Sequence, residues 1–233
     1  MTKKIKLALV GSSGRMGQTI LECLDSRFEL VWSQGDKLSF DGLVESTAQV
    51  IIDFSQPKAT LGWSKLFKGK KMPKALICTT GFSAKELSSL QTQLKGQSYA
   101  IVPNTSIGVL GTKKALEALS AIFDERYQFT LIESHHIHKK DSPSGTAIQL
   151  RDAIDNARPK NSKRKKTEVF SFRAGTDPGT HRVEILGPHE KIVITHSAEN
   201  RKLFAEGALH LAQKFFESRK TGALYGIDAI IGK

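Results

Sequence analysis

Four near-continuous apolar runs dominate the first hundred residues: IKLALVG (5–11), AQVIIDFS (48–55), KALICTTG (74–81) and SYAIVPN (98–104). Short runs of this kind, each ending in small or polar residues, predict parallel strands covered on both faces. FELVWS (28–33) is also β-like. Between the runs the period lengthens. MGQTILECLDS (16–26) sets Met16, Ile20, Cys23 and Leu24 at helical spacing, and SAKELSSLQTQLK (83–95) reads as a second helix. Strand and helix alternate up to residue 104, which predicts a doubly wound parallel α/β sheet with right-handed crossovers.

The pattern then changes. GVLGTKKALEALSAIF (108–123) and GTAIQLRDAIDNA (145–157) read as helices around a strand, YQFTLIESHH (127–136). EVFSFRAG (168–175), HRVEILGP (181–188) and EKIVITHSA (190–198) read as successive strands joined by Gly/Pro turns, hence antiparallel. NRKLFAEGALHLAQKFFES (200–218) is a long amphipathic helix with apolar positions 203, 204, 208, 211, 212 and 215 on one face. The expected organisation is two domains: a doubly wound domain over residues 1–105 and 212–233, and an α+β domain of mixed or antiparallel sheet over 106–211. The apolar ending GALYGIDAIIG (222–232) is expected to pack back on the first domain. No internal repeat is visible.

Composition narrows the function classes. The chain has 233 residues, 39% apolar and 25% charged, ordinary values for a globular protein. No run of eighteen apolar residues predicts a membrane span, and MTKKIKLALVG lacks a signal peptide's apolar stretch and cleavage site. A cytoplasmic protein is expected. Cys23 and Cys78 form no CxxC pair and no disulfide framework. The net charge is +12, partly from NARPKNSKRKKTEV (156–169). That run has no aromatic residue for stacking on bases, so a solvated, mobile loop is favoured over a nucleic-acid patch. The positive field can still speed encounter with small anions.

LALVGSSGRMGQTI places Gly11, Gly14 and Gly17 between the first strand and the first helix. Gly11 suits the tight turn, Gly14 close backbone approach, and Gly17 close packing of helix on sheet. A pyrophosphate there would meet backbone N–H groups at a helix N-terminus, with Arg15 in reach. The G-x-x-G-x-x-G spacing departs from G-x-G-x-x-G, so its placement after a buried strand carries the argument. The alternative is a tight turn without a ligand. After the second strand, Asp36 and Lys37 argue in opposite directions on NADH versus NADPH.

ESHHIHKKDSPSGTA (133–147) concentrates the remaining chemistry. His135, His136 and His138 lack the helical i, i+4 spacing of a zinc motif, and no metal is expected. On a strand, His136 and His138 would share one face and His135 the other. Lys139 follows, and Gly145 and Thr146 begin a helix, with Ser144 or Thr146 alternatively serving only as its cap. Helix N–H groups, a hydroxyl and fixed cations make a receptacle for carboxylate, with an imidazole beside it to move a proton.

With VGSSGRMG, IDFS, TTGF, the PN-S-GV segment, FRAG…GTH (172–181) and GALYG (222–226), that string resembles the 4-hydroxy-tetrahydrodipicolinate reductase family, over nearly the whole chain. The resemblance implies a Rossmann domain for NADPH or NADH. It also implies a substrate domain that closes on it and a homotetramer built largely through the second domain's sheet. It further implies reduction of a small dicarboxylate in the diaminopimelate route to lysine. Carried over by position, His135 is the proton donor and Lys139 assists it and binds substrate. His136, Gly145 and Thr146 contact substrate. Gly11, Ser12, Ser13, Gly14, Arg15 and Met16 form the cofactor turn, Cys78, Thr79 and Thr80 the loop near ribose and nicotinamide, and Val102, Pro103, Asn104 and Thr105 a further cofactor segment. Cys78 stands where glycine is frequent, Thr105 where phenylalanine is, and TDPGTH (176–181) is a variant. Two other classes differ on single features. A semialdehyde dehydrogenase would need a catalytic cysteine in the second domain. A non-catalytic NAD(P)-binding regulator would need the glycine turn but not His135 and Lys139.

Overall fold

The structure, a computed structural model, describes residues 3–34 and 39–232. The chain divides into two compact units, one comprising the residues up to Ser106 together with those from Arg201, the other Ile107–Asn200.

The first unit is a six-stranded, wholly parallel sheet. Its strands are β1 (Ile5–Val10), β2 (Phe28–Ser33), β3 (Val50–Asp53), β4 (Lys74–Ile77), β5 (Tyr99–Ile101) and β10 (Ala223–Tyr225), in the order β10-β5-β4-β3-β1-β2. The apolar runs become strands because both faces are covered; all four residues of β3 are buried. Helices α1 (Arg15–Glu22), α2 (Pro57–Ser64), α3 (Ala84–Gln93), α6 (Lys202–Glu217) and α7 (Gly226–Ile231) complete the unit. Ser83 begins α3 with a capping box, its hydroxyl accepting from the Glu86 N–H while the Glu86 carboxylate accepts from the Ser83 N–H. A core of Val10, Ile51, Trp63, Phe67, Ile77, Leu90 and Ile101 lies on one side. Residues 201–211, expected with the second domain, belong to this unit; from Lys202 on they form the start of α6, which packs on α1, α7, β3 and β4. Lys74 ties that helix down by donating from Nζ to the Phe215 and Ser218 carbonyls at 2.7 and 2.6 Å, a cation at a helix C-terminus. The ending adds β10 beside β5 and packs α7 on α6, as its apolar character predicts.

Register matters more than strand count. Val10 pairs with Asp53, Asp53 with Ile77, and Ile77 with Ile101. The residues that follow, Gly11, Phe54, Cys78 and Val102, therefore stand in one row at the carboxyl edge of the sheet. The chain order reverses between β1 and β3, and open α/β sheets bind ligands at such a switch point.

The second unit is a four-stranded mixed sheet: β6 (Gln128–His135), β7 (Glu168–Arg173), β8 (Thr180–Leu186) and β9 (Lys191–Ser197), ordered β7-β6-β8-β9. The expected β8–β9 antiparallel pair is present. The expectation that β7 and β8 are paired neighbours is corrected: they run antiparallel, but β6 lies between them, parallel to β7 on one flank and antiparallel to β8 on the other. The segment after β7 is long enough to cross β6, so sequence neighbours are not sheet neighbours. Helices α4 (Ile107–Ile122) and α5 (Gly145–Asn156) pack on each other, and the buried face of the sheet holds Phe129, Leu131, Val183 and Ile185 with Leu116, Leu150 and Ile154.

The basic run after α5 is not a loop that merely carries charge. Arg164 is only 4% exposed. Its guanidinium donates to the carbonyls of Ser120 (3.3 Å) and Phe123 (3.2 Å) and lies 4.4 Å over the Phe129 ring. Ser120 in turn donates to the Ile154 carbonyl, so one side chain links α4, α5 and the sheet. Arg158 donates to the Arg164 carbonyl at 2.7 Å. Charged hydrogen bonds and a desolvated cation–π contact each contribute on the order of 1–3 kcal/mol. Arg164→Ala is expected to destabilise the protein by about 2–4 kcal/mol in urea denaturation at neutral pH. An Ala variant of the neighbouring exposed Lys165 is expected to be neutral.

Candidate active site

Gly11 adopts φ +82°, and a Cβ on Gly17 would lie 2.1 Å from the Gly11 carbonyl oxygen, so only glycine lets α1 start this close to the turn. Helix α1 is preceded by Gly14, has no side-chain cap and carries no acid in its first turn. Backbone donors and dipole are thus unopposed, as a phosphate requires. Ser13, Gly14 and Arg15 are exposed there, whereas Ser12 is buried with its hydroxyl given to the Gln34 carbonyl. Met16 is half-buried.

The other segments fall on the same edge, but several of their side chains are already used. Thr79 is buried, its hydroxyl donating to Asp53 at 3.0 Å, and Thr105 is buried, donating to the Phe204 carbonyl at 2.6 Å. Cys78 and Val102 are buried, while Thr80 and Pro103 are exposed and Asn104 half-buried. Burial, and then the negative Asp53, push the Cys78 thiol well above its usual pKa. Cys23 is also raised, chiefly by burial. Both cysteines lie in the first unit and neither is an activated thiolate, which removes the cysteine-nucleophile reading. Sequence reasoning assigned no role to Asp53. Its fully buried carboxylate accepts from Ser55 N–H (2.9 Å), Thr60 Oγ1 (2.7 Å) and Trp63 Nε1 (2.8 Å) as well as from Thr79. It fixes the loop after β3, in the middle of the row, against the loop after β4. Asp36 and Lys37 lie outside the described residues.

In the second unit, β6 ends at His135, one residue short of expectation, so His136 and His138 belong to the following loop and the strand-face argument does not apply to them. Their rings are 6.2 Å apart. The buried face of β6 carries Phe129, Leu131, Glu133 and His135. Two apolar residues are thus followed by an acid and a histidine on the same core-facing side. Glu133 is 0% exposed. Its Oε1 accepts from the Ser144 N–H (2.9 Å), Ser171 Oγ (2.7 Å) and Arg173 (2.9 Å). Burial pushes its pKa up, but the hydrogen bonds from Ser144, Arg173 and Ser171 outweigh it and hold the carboxyl at about 2. Its Oε2 faces His135 Nδ1 at 3.4 Å and His181 Nε2 at 3.7 Å.

His135 Nδ1 therefore faces a permanent carboxylate. Burial lowers its pKa below 6.5, against the pull of Glu133 and with the push of Lys139 and Arg173. His181, more deeply set, is lowered to about 4, chiefly by burial and then by His135. At neutral pH both rings are uncharged. Gly179, with φ +147°, starts β8 against His135: a Cβ there would sit 2.9 Å from its Nε2. The turn is shaped by Asp177, whose carboxylate accepts from the Gly179 N–H and whose carbonyl accepts from the His136 N–H. The Lys139 ammonium lies 2.9 Å from the exposed Asp141 carboxylate. Ser144 is the cap of α5, its hydroxyl accepting from the Ala147 N–H. Gly145 is exposed at the helix start, with open space around its Cα.

The structure thus brings His135, Lys139 and the α5 start to one end of the second unit. It adds Glu133, Arg173, Ser171 and His181, which sequence reasoning had not assigned. The available signal was the alternation on β6, which puts an acid on an apolar face and so demands buried partners. A parallel sheet with an open helix N-terminus at its switch point, and a second unit carrying an imidazole beside a buried carboxylate, are the parts of a dinucleotide-dependent oxidoreductase. Residues 5–105 match the N-terminal model of dihydrodipicolinate reductase and residues 108–231 the C-terminal model. The chain belongs to the dihydrodipicolinate reductase family. It is 36% identical to the 4-hydroxy-tetrahydrodipicolinate reductase of Bdellovibrio bacteriovorus, over 99% of this chain and 98% of that one. With the Nitrosomonas eutropha protein of the same name it shares 31%, over 98% of each. The fold matches dipicolinate-bound dihydrodipicolinate reductase from Paenisporosarcina sp. TG-14 with a TM-score of 0.79 at 21% identity, over 98% of this chain and all of that one.

Proposed function

We propose that the second unit holds a small dicarboxylate and protonates it from His135, while the first unit presents NADPH or NADH from the row Gly11, Phe54, Cys78 and Val102. Family membership gives the reaction, the NAD(P)H-dependent reduction of 4-hydroxy-tetrahydrodipicolinate to tetrahydrodipicolinate in the diaminopimelate route to lysine. When bound, the nicotinamide supplies the hydride. The protein's own residues supply the rest. The α1 start and Arg15 hold the pyrophosphate. Gly145, Thr146 and the Lys139 ammonium hold one substrate carboxylate, and His136 lies beside them. His135 holds the proton, and its Nδ1 faces the Glu133 carboxylate, which leaves Nε2 as the donating nitrogen.

The observation that carries this reading is the buried Glu133 carboxylate behind a neutral His135, with Lys139 close enough for its charge to lower His135. A purely regulatory dinucleotide-binding protein has no need of it. The protein should consume NADPH or NADH, followed at 340 nm, only when the preceding synthase supplies substrate. Dinucleotide binding without turnover in that assay rejects the proposal in favour of the regulator. Lys139→Ala is expected to raise the substrate KM by about 10-fold or more and to lower kcat, since it removes a charge-assisted contact of about 1.5–3 kcal/mol. Dinucleotide affinity, read by fluorescence, should be unaffected.

A homotetramer is part of the same proposal. The outward face of the second unit's sheet exposes Phe170 and Phe172, the latter 57% exposed, with Val193 and Leu186. Such a patch is unusual on a monomer. Light scattering should give four chains, and Phe172→Glu smaller species. No helix among the described residues is long and apolar enough to cross a membrane, which is compatible with the cytoplasmic location proposed here.

A further inference from the structure

His181 joins Glu133 Oε2 and His135 Nδ1 in a cluster, and the reductase chemistry does not require this third member. Among the described residues, these three form the group whose ligand atoms all fall within 4.8 Å of one another, and all three side chains are buried. Oε2 and His135 Nδ1 lack hydrogen-bond partners, and His181 Nε2, the nitrogen that faces Oε2, lies 3.3 Å from the Ser144 hydroxyl. The 3.4 and 3.7 Å separations from Oε2 are long for hydrogen bonds. They are close to the edges of a tetrahedron around a zinc ion, roughly 3.3–3.5 Å for bonds of about 2.0–2.1 Å.

We propose that Glu133, His135 and His181 form a reversible inhibitory site for a divalent transition ion of the zinc type. Two imidazoles and one carboxylate are the donor set such ions favour over magnesium or calcium. The fourth position is left to water. The other carboxylate oxygen is fixed by Ser144, Ser171 and Arg173, the outer support that ligating carboxylates usually have. The positive charges of Arg173 and Lys139 oppose the ion, which suits an inhibitor that comes and goes rather than a resident cofactor. An ion on Nδ1 denies His135 its imidazolium form and so stops proton donation.

Chelator-treated protein is titrated with Co²⁺, followed by visible absorption, and with Zn²⁺ against a chromophoric zinc indicator. Neither substrate nor dinucleotide is present, so failure here is separate from failure of the reductase reading. One ion should bind per chain with a tetrahedral cobalt spectrum. Turnover at 340 nm should fall in step with zinc occupancy and return with EDTA. His181→Ala is expected to weaken binding by at least the roughly 10–100-fold that loss of even an outer-shell partner costs. His138→Ala, at an exposed histidine, should leave it unchanged. His181→Gln serves if the alanine variant does not fold. Absence of saturation at one equivalent overturns the proposal, as does binding that survives His181 replacement but is lost with His138. Binding at one equivalent with unaltered turnover overturns the inhibitory part.

Discussion

His135→Gln is expected to lower kcat by roughly 10²–10⁴, the range that a positioned general acid contributes. Glutamine keeps the ring's approximate reach and a hydrogen-bonding tip but cannot donate an ionisable proton. The dinucleotide Kd should be unchanged, because the residues proposed to bind it lie in the first unit. The substrate KM should move little, because Lys139 and the α5 start carry the anion. The pH profile is the sharper measurement. Burial lowers the pKa of His135 below 6.5 in the free protein, and a donor is competent only while protonated. kcat/KM should therefore fall as pH rises through that lowered pKa. A bound dicarboxylate favours the imidazolium, so the corresponding fall in kcat should come at higher pH. Both limbs should vanish in the variant. Wild-type turnover at saturating substrate, or an unchanged basic limb, would remove His135 from the donor role.

The first unit was legible because its signal is local. Strands such as VIID at 50–53 announce themselves by continuous burial, and Gly11, Gly14 and Gly17 by their place between a strand and a helix. The row at the sheet edge also follows, since parallel strands with right-handed crossovers bring successive carboxyl ends to one side. The second unit was only half legible. β6, β8 and β9 were recognisable as strands, but pairing depends on non-local contacts that composition does not encode, and β7 was placed beside the wrong neighbour. The site shows the same division. His135 and Lys139 stand out in a dense polar string. Arg173, Ser171 and His181 converge on Glu133 from β7 and β8, 38 to 48 positions later, and only the register Glu133–Ser171 and Glu133–His181 reveals it. Arg164 was hidden for another reason. In a run of lysines and arginines, the one cation that turns inward looks like the rest.

Glu133→Gln is expected to destabilise the protein by about 3 kcal/mol at neutral pH and to impair turnover as well. The carboxyl is completely buried and its pKa falls from 4.5 to about 2 on folding. At about 1.4 kcal/mol per pKa unit that shift is worth roughly 3 kcal/mol, similar to the 3–5 kcal/mol cost of breaking a buried charge pair. The sign follows from linkage. A carboxyl with a depressed native pKa binds fewer protons folded than unfolded between the two values, so its contribution is complete above about pH 4.5 and disappears as pH falls towards 2. Urea denaturation of wild type and variant should thus differ by a constant amount from pH 7 down to about 4.5 and converge below. Subtracting the variant removes the titration of the other carboxylates. A gap independent of pH down to 2 would mean that Glu133 acts by packing and not as an ion. The catalytic consequence is read in the same variant. The Glu133 charge raises the pKa of His135 against burial, so its loss should move the basic limb of kcat/KM to still lower pH. A merely loosened fold would reduce the amount of active protein and leave that limb where it was.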